Sequence, residues 1–168
     1  KPFVYALALQ DEGEESVTQK VGLNATGHSF NSVLAIEEAP QHLQNPLVNA
    51  GAIQVTSLIH GTTRLNKWDR VFAFMQSLSD GKLTLGNRVY HSESATNLHN
   101  HAIAELLASY GLMYGDATDA VDRYTKACSI MVSAKQLALM GATLANHGVH
   151  PITKKALIAP IIVQDTLS

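Results

Sequence analysis

Apolar positions are densest between Asn45 and Gly61, where Leu47, Val48, Ala50, Ala52, Ile53, Val55, Leu58 and Ile59 leave almost no polar face. A helix that is apolar all round is a buried one. Asn45 suits its N-cap, because the side-chain oxygen can accept from an unpaired amide of the first turn. Pro46 suits the first helical position, where a missing N–H is no loss. Asn49 then lies one turn into a buried helix, where an unpaired amide costs about 1–3 kcal/mol. It therefore needs partners, either a neighbouring loop or a ligand. Ala50-Gly51-Ala52 beside it carries little bulk, so another backbone or a small ligand can approach closely.

Around this segment the periodicity predicts a mostly helical chain. Residues 2–10 are almost continuously apolar and fit a helix or a buried strand equally well. Val17–Gly22 suits a short exposed helix, Asn24-Ala25-Thr26-Gly27 a turn, and Val33–Ile36 an apolar patch between loops. A helix capped by Asn66 carries Trp68, Val71, Phe72, Met75 and Leu78 on one face, and Gly81 suits the left-handed position after it. Leu83-Thr84-Leu85 and Val89-Tyr90 are short strand-like pieces. One helix is predicted over Ser92–Tyr110, closed by Gly111, and another over Asp119–Ile130. A last long one opens on a Ser133-to-Gln136 capping box and ends at Asn146-His147-Gly148. Alternation of period two is nearly absent, so residues 1–168 read as a single helical unit. Both ends look like cuts within a longer chain.

The polar residues on these helices narrow the chemistry. Glu93 and Asn100 are seven apart, which on one continuous helix places them on a shared face about 10.5 Å apart along the axis. That face turns apolar at Ala104 and Leu107, so the pair fits either a cleft or a polar helix N-terminus. His91, His99 and His101 suggest a metal, but side chains two apart on a helix point in nearly opposite directions. No metal site is expected. Tyr124 reads as a core ring with a bonded hydroxyl, and Cys128 as a small buried hydrophobe.

Composition closes off several classes. The formal net charge is −2 and charged residues make up 15%, with no basic patch, so nucleic acid is not an expected partner. No apolar run is long enough for a membrane span. A single cysteine excludes an internal disulfide framework and fits a reducing, cytoplasmic compartment.

The words Phe30-Asn31-Ser32, Asn45-Pro46-Leu47-Val48-Asn49-Ala50-Gly51-Ala52-Ile53, Ser92-Glu93 with Asn100, Tyr124–Ile130, Ala142–Asn146 and Pro151-Ile152-Thr153 run in order along the chain. Together they resemble the serine-dependent glutaminases, relatives of β-lactamases and penicillin-binding proteins. Asn24-Ala25-Thr26-Gly27 departs from the family's usual Glu-Pro-Ser-Gly. The resemblance implies an α+β, serine β-lactamase-like fold for the parent protein, with this chain mainly its all-helical part. It implies hydrolysis of L-glutamine to L-glutamate and ammonia through a serine acyl-enzyme. Lys1 matches the lysine of the family's Ser-x-x-Lys motif, which places the nucleophile three positions before it. A later tyrosine and a Lys-Ser-Gly-Val stretch would follow Ser168, so this portion by itself is expected to be inactive. Asn49, Glu93, Asn100 and Tyr124 match the family's substrate-binding positions, with Glu93 assigned to the substrate ammonium and the other three to its carboxylate. No metal or organic cofactor is called for, and a homodimer or homotetramer is expected. A β-lactam-directed Ser-x-x-Lys relative, or a catalytically dead helical binding module, are the competing readings.

Overall fold

The computed structural model describes residues 1–168. Its helices are α1 (Pro2–Glu12), α2 (Glu14–Lys20), α3 (Leu34–Glu38), α4 (Asn49–Ser57), α5 (Arg64–Ser77), α6 (Asn87–Thr96), α7 (Leu98–Ser109), α8 (Ala117–Cys128), α9 (Ala134–Ala145) and α10 (Pro160–Leu167). A 3-10 turn covers Pro40–His42. Strands β1 (Thr84–Leu85) and β2 (Ile130–Met131) pair antiparallel, Thr84 opposite Met131 and Leu85 opposite Ile130. No helix is long and apolar enough to cross a membrane.

The all-apolar segment is the structural centre, and every residue of α4 is buried. It packs against α1, α7 and α8, and it separates two hydrophobic clusters. Val55, Leu58 and Ile59 join one with α1, α5, α9 and α10. Ala50, Ala52 and Ile53 join the other with Ile103, Leu107, Val121 and Tyr124. Uniform burial on opposite sides is why the stretch has no polar face. The ambiguous residues 2–10 resolve as the buried helix α1, apolar because α4, α5 and α10 all pack on it.

The helix does not begin where the sequence suggests. Asn45 caps no helix. Its Oδ1 accepts the Leu47 N–H at 2.9 Å, an Asx turn, and α4 opens at Asn49 with Val48 preceding it in an extended conformation. The turn folds back on the first turn of α4, so a Cβ on Gly51 would stand 2.0 Å from the Asn45 carbonyl oxygen. The close approach expected at Ala50-Gly51-Ala52 is thus made by the chain's own backbone. Gly51→Ala should destabilise the fold by about 1–3 kcal/mol despite alanine's better helix propensity. Chemical denaturation that finds the variant equal to or more stable than the parent would contradict this.

Further departures have local causes. The predicted helix over Ser92–Tyr110 is two helices broken at Asn97, whose φ/ψ of −89°/24° leaves the helical region. Its side chain is held by Thr125 Oγ1 on α8 at 3.1 Å. Glu93 and Asn100 therefore sit on different helices, and the common-face spacing does not apply. Val89-Tyr90 belongs to α6 and is not strand, and Leu34–Glu38 within the loop patch is helical. Thr63 caps α5 by accepting the Asn66 N–H, so Asn66 supplies the amide and not the cap. Asp116 likewise caps α8, which starts two residues earlier than predicted and yields Ile130 to β2. Gly81 does not adopt the left-handed conformation, whereas Gly111 and Gly148 do. Cys128 is exposed and not a buried hydrophobe, although Thr125 and Ser129 beside it on the same turn are buried.

Ion pairs tie the outer helices down. Arg123, almost wholly buried, donates to the Thr56 carbonyl at the end of α4 and to Asp119. Glu12 bridges Lys20 at 2.6 Å and His60 at 2.7 Å. The hydrogen bond from Lys20, then that from His60, pulls the Glu12 carboxyl down to about 2 from 4.5. A depressed acid stabilises the fold above its ordinary pKa and loses that contribution as pH falls from about 4.5 towards 2. Glu12→Gln should cost about 1 kcal/mol at neutral pH after solvent screening and flatten stability over that acid window. Equal slopes for the two proteins in acid denaturation would refute it.

Candidate active site

Lys1, Asn49, Asn100 and Tyr124 meet at the opening of α4. Asn49 is the hub. Its Oδ1 accepts from Lys1 Nζ at 2.9 Å and from the Tyr124 hydroxyl at 3.0 Å. Its Nδ2 donates to Asn100 Oδ1 at 3.1 Å, and its backbone N–H donates to the Phe30 carbonyl at 2.7 Å. Lys1 Nζ also donates to the Leu47 carbonyl at 3.1 Å. Lys1 immediately precedes α1, Asn100 lies in the first turn of α7 and Tyr124 lies midway along α8. Four helices packed around one buried asparagine bring together residues 48 to 75 positions apart in sequence.

Glu93 is not part of this hydrogen-bonded cluster. It is exposed on α6, which packs against α8, and its charge reaches the Tyr124 phenol. Its carboxylate makes no hydrogen bond or ion pair within the chain.

The electrostatics give the two titratable members of the cluster opposite characters. Burial pushes the Lys1 ammonium below its ordinary pKa, with Cys128 opposing the shift. Loss of solvent disfavours the charged amine, so Lys1 is eased towards the neutral form that can accept a proton. Burial pushes the Tyr124 phenol up, helped by Cys128 and then Glu93. Tyr124 therefore remains a protonated donor at neutral pH. Asn49 keeps a second Nδ2 hydrogen and Asn100 both of its own, so the cluster presents neutral donors beside one amine.

Lys1, Val4, Ala52, Val55, Tyr124 and Cys128 line part of a cavity of about 60 Å³ under this cluster. That is far below the roughly 300–1,000 Å³ of a small-molecule pocket. A roomier hollow of about 480 Å³ near Asn24, His28, Glu38 and Gln41 contains none of the five residues. Hydrogen bonds and burial, and not volume, single out Asn49.

Three contributors were not assigned from the sequence. The Leu47 carbonyl is a backbone group and carries no residue signal. The Phe30 ring lies 5.6 Å from Lys1 Nζ; its Phe-Asn-Ser word carries no local sign of that role. Cys128 lines the cavity beside Tyr124, four residues away on α8, a spacing that fits a core face equally well.

The glutaminase family model matches residues 1–168. The chain is 46% identical over 159 residues to a glutaminase of Colwellia psychrerythraea, covering 95% of this chain and 51% of that protein. It is 44% identical to glutaminase 2 of Yersinia pestis, covering 94% of this chain and 46% of that protein. Its fold superposes on the solved structure of a probable glutaminase, ybaS, with a TM-score of 0.96 at 43% identity, over 99% of this chain and 54% of that one. A probable glutaminase of Bacillus subtilis superposes at a TM-score of 0.93 and 26% identity, over 98% of this chain and 53% of that one. The chain belongs to the glutaminase family. It spans about half the length of the relatives it matches, and over that half it has the helical architecture of their fold.

Proposed function

We propose that the full-length protein hydrolyses L-glutamine to L-glutamate and ammonia through a serine acyl-enzyme. Residues 1–168 are the helical portion of its catalytic domain. The observation that carries this reading is the convergence of Lys1, Asn49, Asn100 and Tyr124 on one buried hydrogen-bonded hub in a chain of the glutaminase family.

In this reading a serine three positions before Lys1 lies one helical turn away, on the same face. Lys1, desolvated and eased towards neutrality, takes the serine's proton as its oxygen attacks the side-chain amide carbon. The tetrahedral intermediate collapses, the C–N bond breaks and the nitrogen leaves as ammonia with a proton returned by Lys1. Water then attacks the ester by the same proton relay, releasing glutamate and the free serine. Asn49 and Asn100 donate their free amide hydrogens to the α-carboxylate without adding charge, the Tyr124 hydroxyl turns from Asn49 Oδ1 to join them when substrate is bound, and Glu93 pairs with the α-ammonium. Recognition at both ends of the amino-acid group fixes the distance to the scissile amide, which favours glutamine over the shorter asparagine. No cofactor enters this scheme. The single cysteine suits a cytoplasmic setting, and a dimer or tetramer is the proposed assembly.

A coupled ammonia-release assay on the full-length protein tests the proposal. Release from glutamine, with far less from asparagine, is expected; no release from glutamine overturns it.

A further inference from the structure

Of the three histidines on α6 and α7, His99 bonds towards the site. Its Nε2 lies 2.6 Å from the Asn31 carbonyl oxygen. A carbonyl can only accept, so Nε2 carries the proton and donates. Asn31 follows Phe30, whose carbonyl takes the Asn49 N–H and whose ring faces Lys1. His99 precedes Asn100, whose side chain is bonded to Asn49. The links run from Asn49 to Asn100, along α7 to His99, across to Asn31, and back through Phe30 to Asn49. Two helices thus hold residues 30–31 from opposite sides.

Packing does not hold Phe30 in place, since 62% of it is exposed. Its position beside Lys1 depends on backbone tethers, one from α4 and one from His99. A ring lying over the amine keeps water from that side, and loss of solvent is what eases Lys1 towards the neutral, proton-accepting form, so its placement bears on the proton relay.

We infer that His99 is a positioning residue for the proposed reaction, donating from Nε2 to the Asn31 carbonyl so that Phe30 stays against Lys1 and Asn49. The consequence for turnover rests on the glutaminase reading; the tether itself does not. The test compares His99→Ala and His99→Gln in the full-length protein. Gln can present an amide N–H close to the Nε2 position.

In His99→Ala, the Asn49 amide should exchange with solvent about tenfold faster, as expected for a weakened hydrogen bond. Its kcat/KM for glutamine should fall about tenfold, with the melting temperature within about 3 °C of the parent. His99→Gln should restore both exchange and turnover. Parental exchange at Asn49 in His99→Ala overturns the tether, and His99→Gln no better than His99→Ala overturns the donor role. Parental kcat/KM in His99→Ala alongside faster exchange overturns the link to turnover. The exchange measurement reads out whether or not glutamine is hydrolysed, so a failure of the glutaminase reading is separately visible.

Discussion

Lys1→Ala in the full-length enzyme should lower kcat for glutamine by roughly 10²–10⁴-fold, the usual span for losing a general base, while KM changes little. In the proposed scheme Lys1 transfers the proton and does not hold the amino-acid end of the substrate. Its Nζ is spent on the Leu47 carbonyl and Asn49 Oδ1. Removing it leaves Asn49 Oδ1 still bonded by Tyr124, so the hub and the fold should survive, as a melting curve would show. The pH profile supplies an independent readout. Burial lowers the Lys1 pKa from 10.5, and a base works only when deprotonated. Turnover should therefore rise with pH along a limb set below the ordinary lysine range, and Lys1→Ala should abolish that limb. Near-parental turnover in the variant would remove Lys1 from the relay.

Glu93→Gln is the second large effect, and it should fall on KM. Losing a charge-assisted bond to an ammonium costs about 1.5–3 kcal/mol, which corresponds to a rise in KM of roughly 10- to 150-fold. Glu93 has no protein partner, so the substitution breaks nothing in the fold, and stability should stay within about 0.5 kcal/mol. kcat should change much less, because in the proposed scheme the acid meets the ammonium and not the scissile amide. Steady-state kinetics with an unchanged KM would end the ammonium role. The variant should also relieve part of the upward push on Tyr124, to which the Glu93 charge contributes.

The pairing of these two effects, one on kcat and one on KM, is what separates a glutaminase site from a packed asparagine with polar neighbours. Burial alone explains why Asn49 has partners. It does not explain why those partners are an amine with a lowered pKa, a phenol and a second amide, with an unpaired acid nearby.

The register of the helices was largely legible in the residues. The apolar positions from Ala50 to Ile59 mark a segment buried on all sides because hydrophobic burial leaves a direct mark on which residues are apolar. The Ser133 capping box was equally plain, and both of its bonds are present. Boundaries set by long-range contacts were not. Asn45 and Pro46 have every local feature of a helix start, yet the turn they form packs on Gly51 and defers the helix to Asn49. The break at Asn97 depends on Thr125, far along the chain, and no local pattern encodes it.

The sequence by itself determined a mainly helical chain centred on Asn49, and through short exact words it determined the family and the residues to watch. Tertiary structure alone decided that Lys1, Asn49, Asn100 and Tyr124 share one hydrogen-bonded hub, that Glu93 stands apart from it on a separate helix, and that His99 reaches back to Asn31. The physical reason is range. Burial and capping act within a turn or two and leave their imprint on neighbouring residues, whereas a hydrogen bond across 48 to 75 positions exists only after the helices that carry its ends have packed.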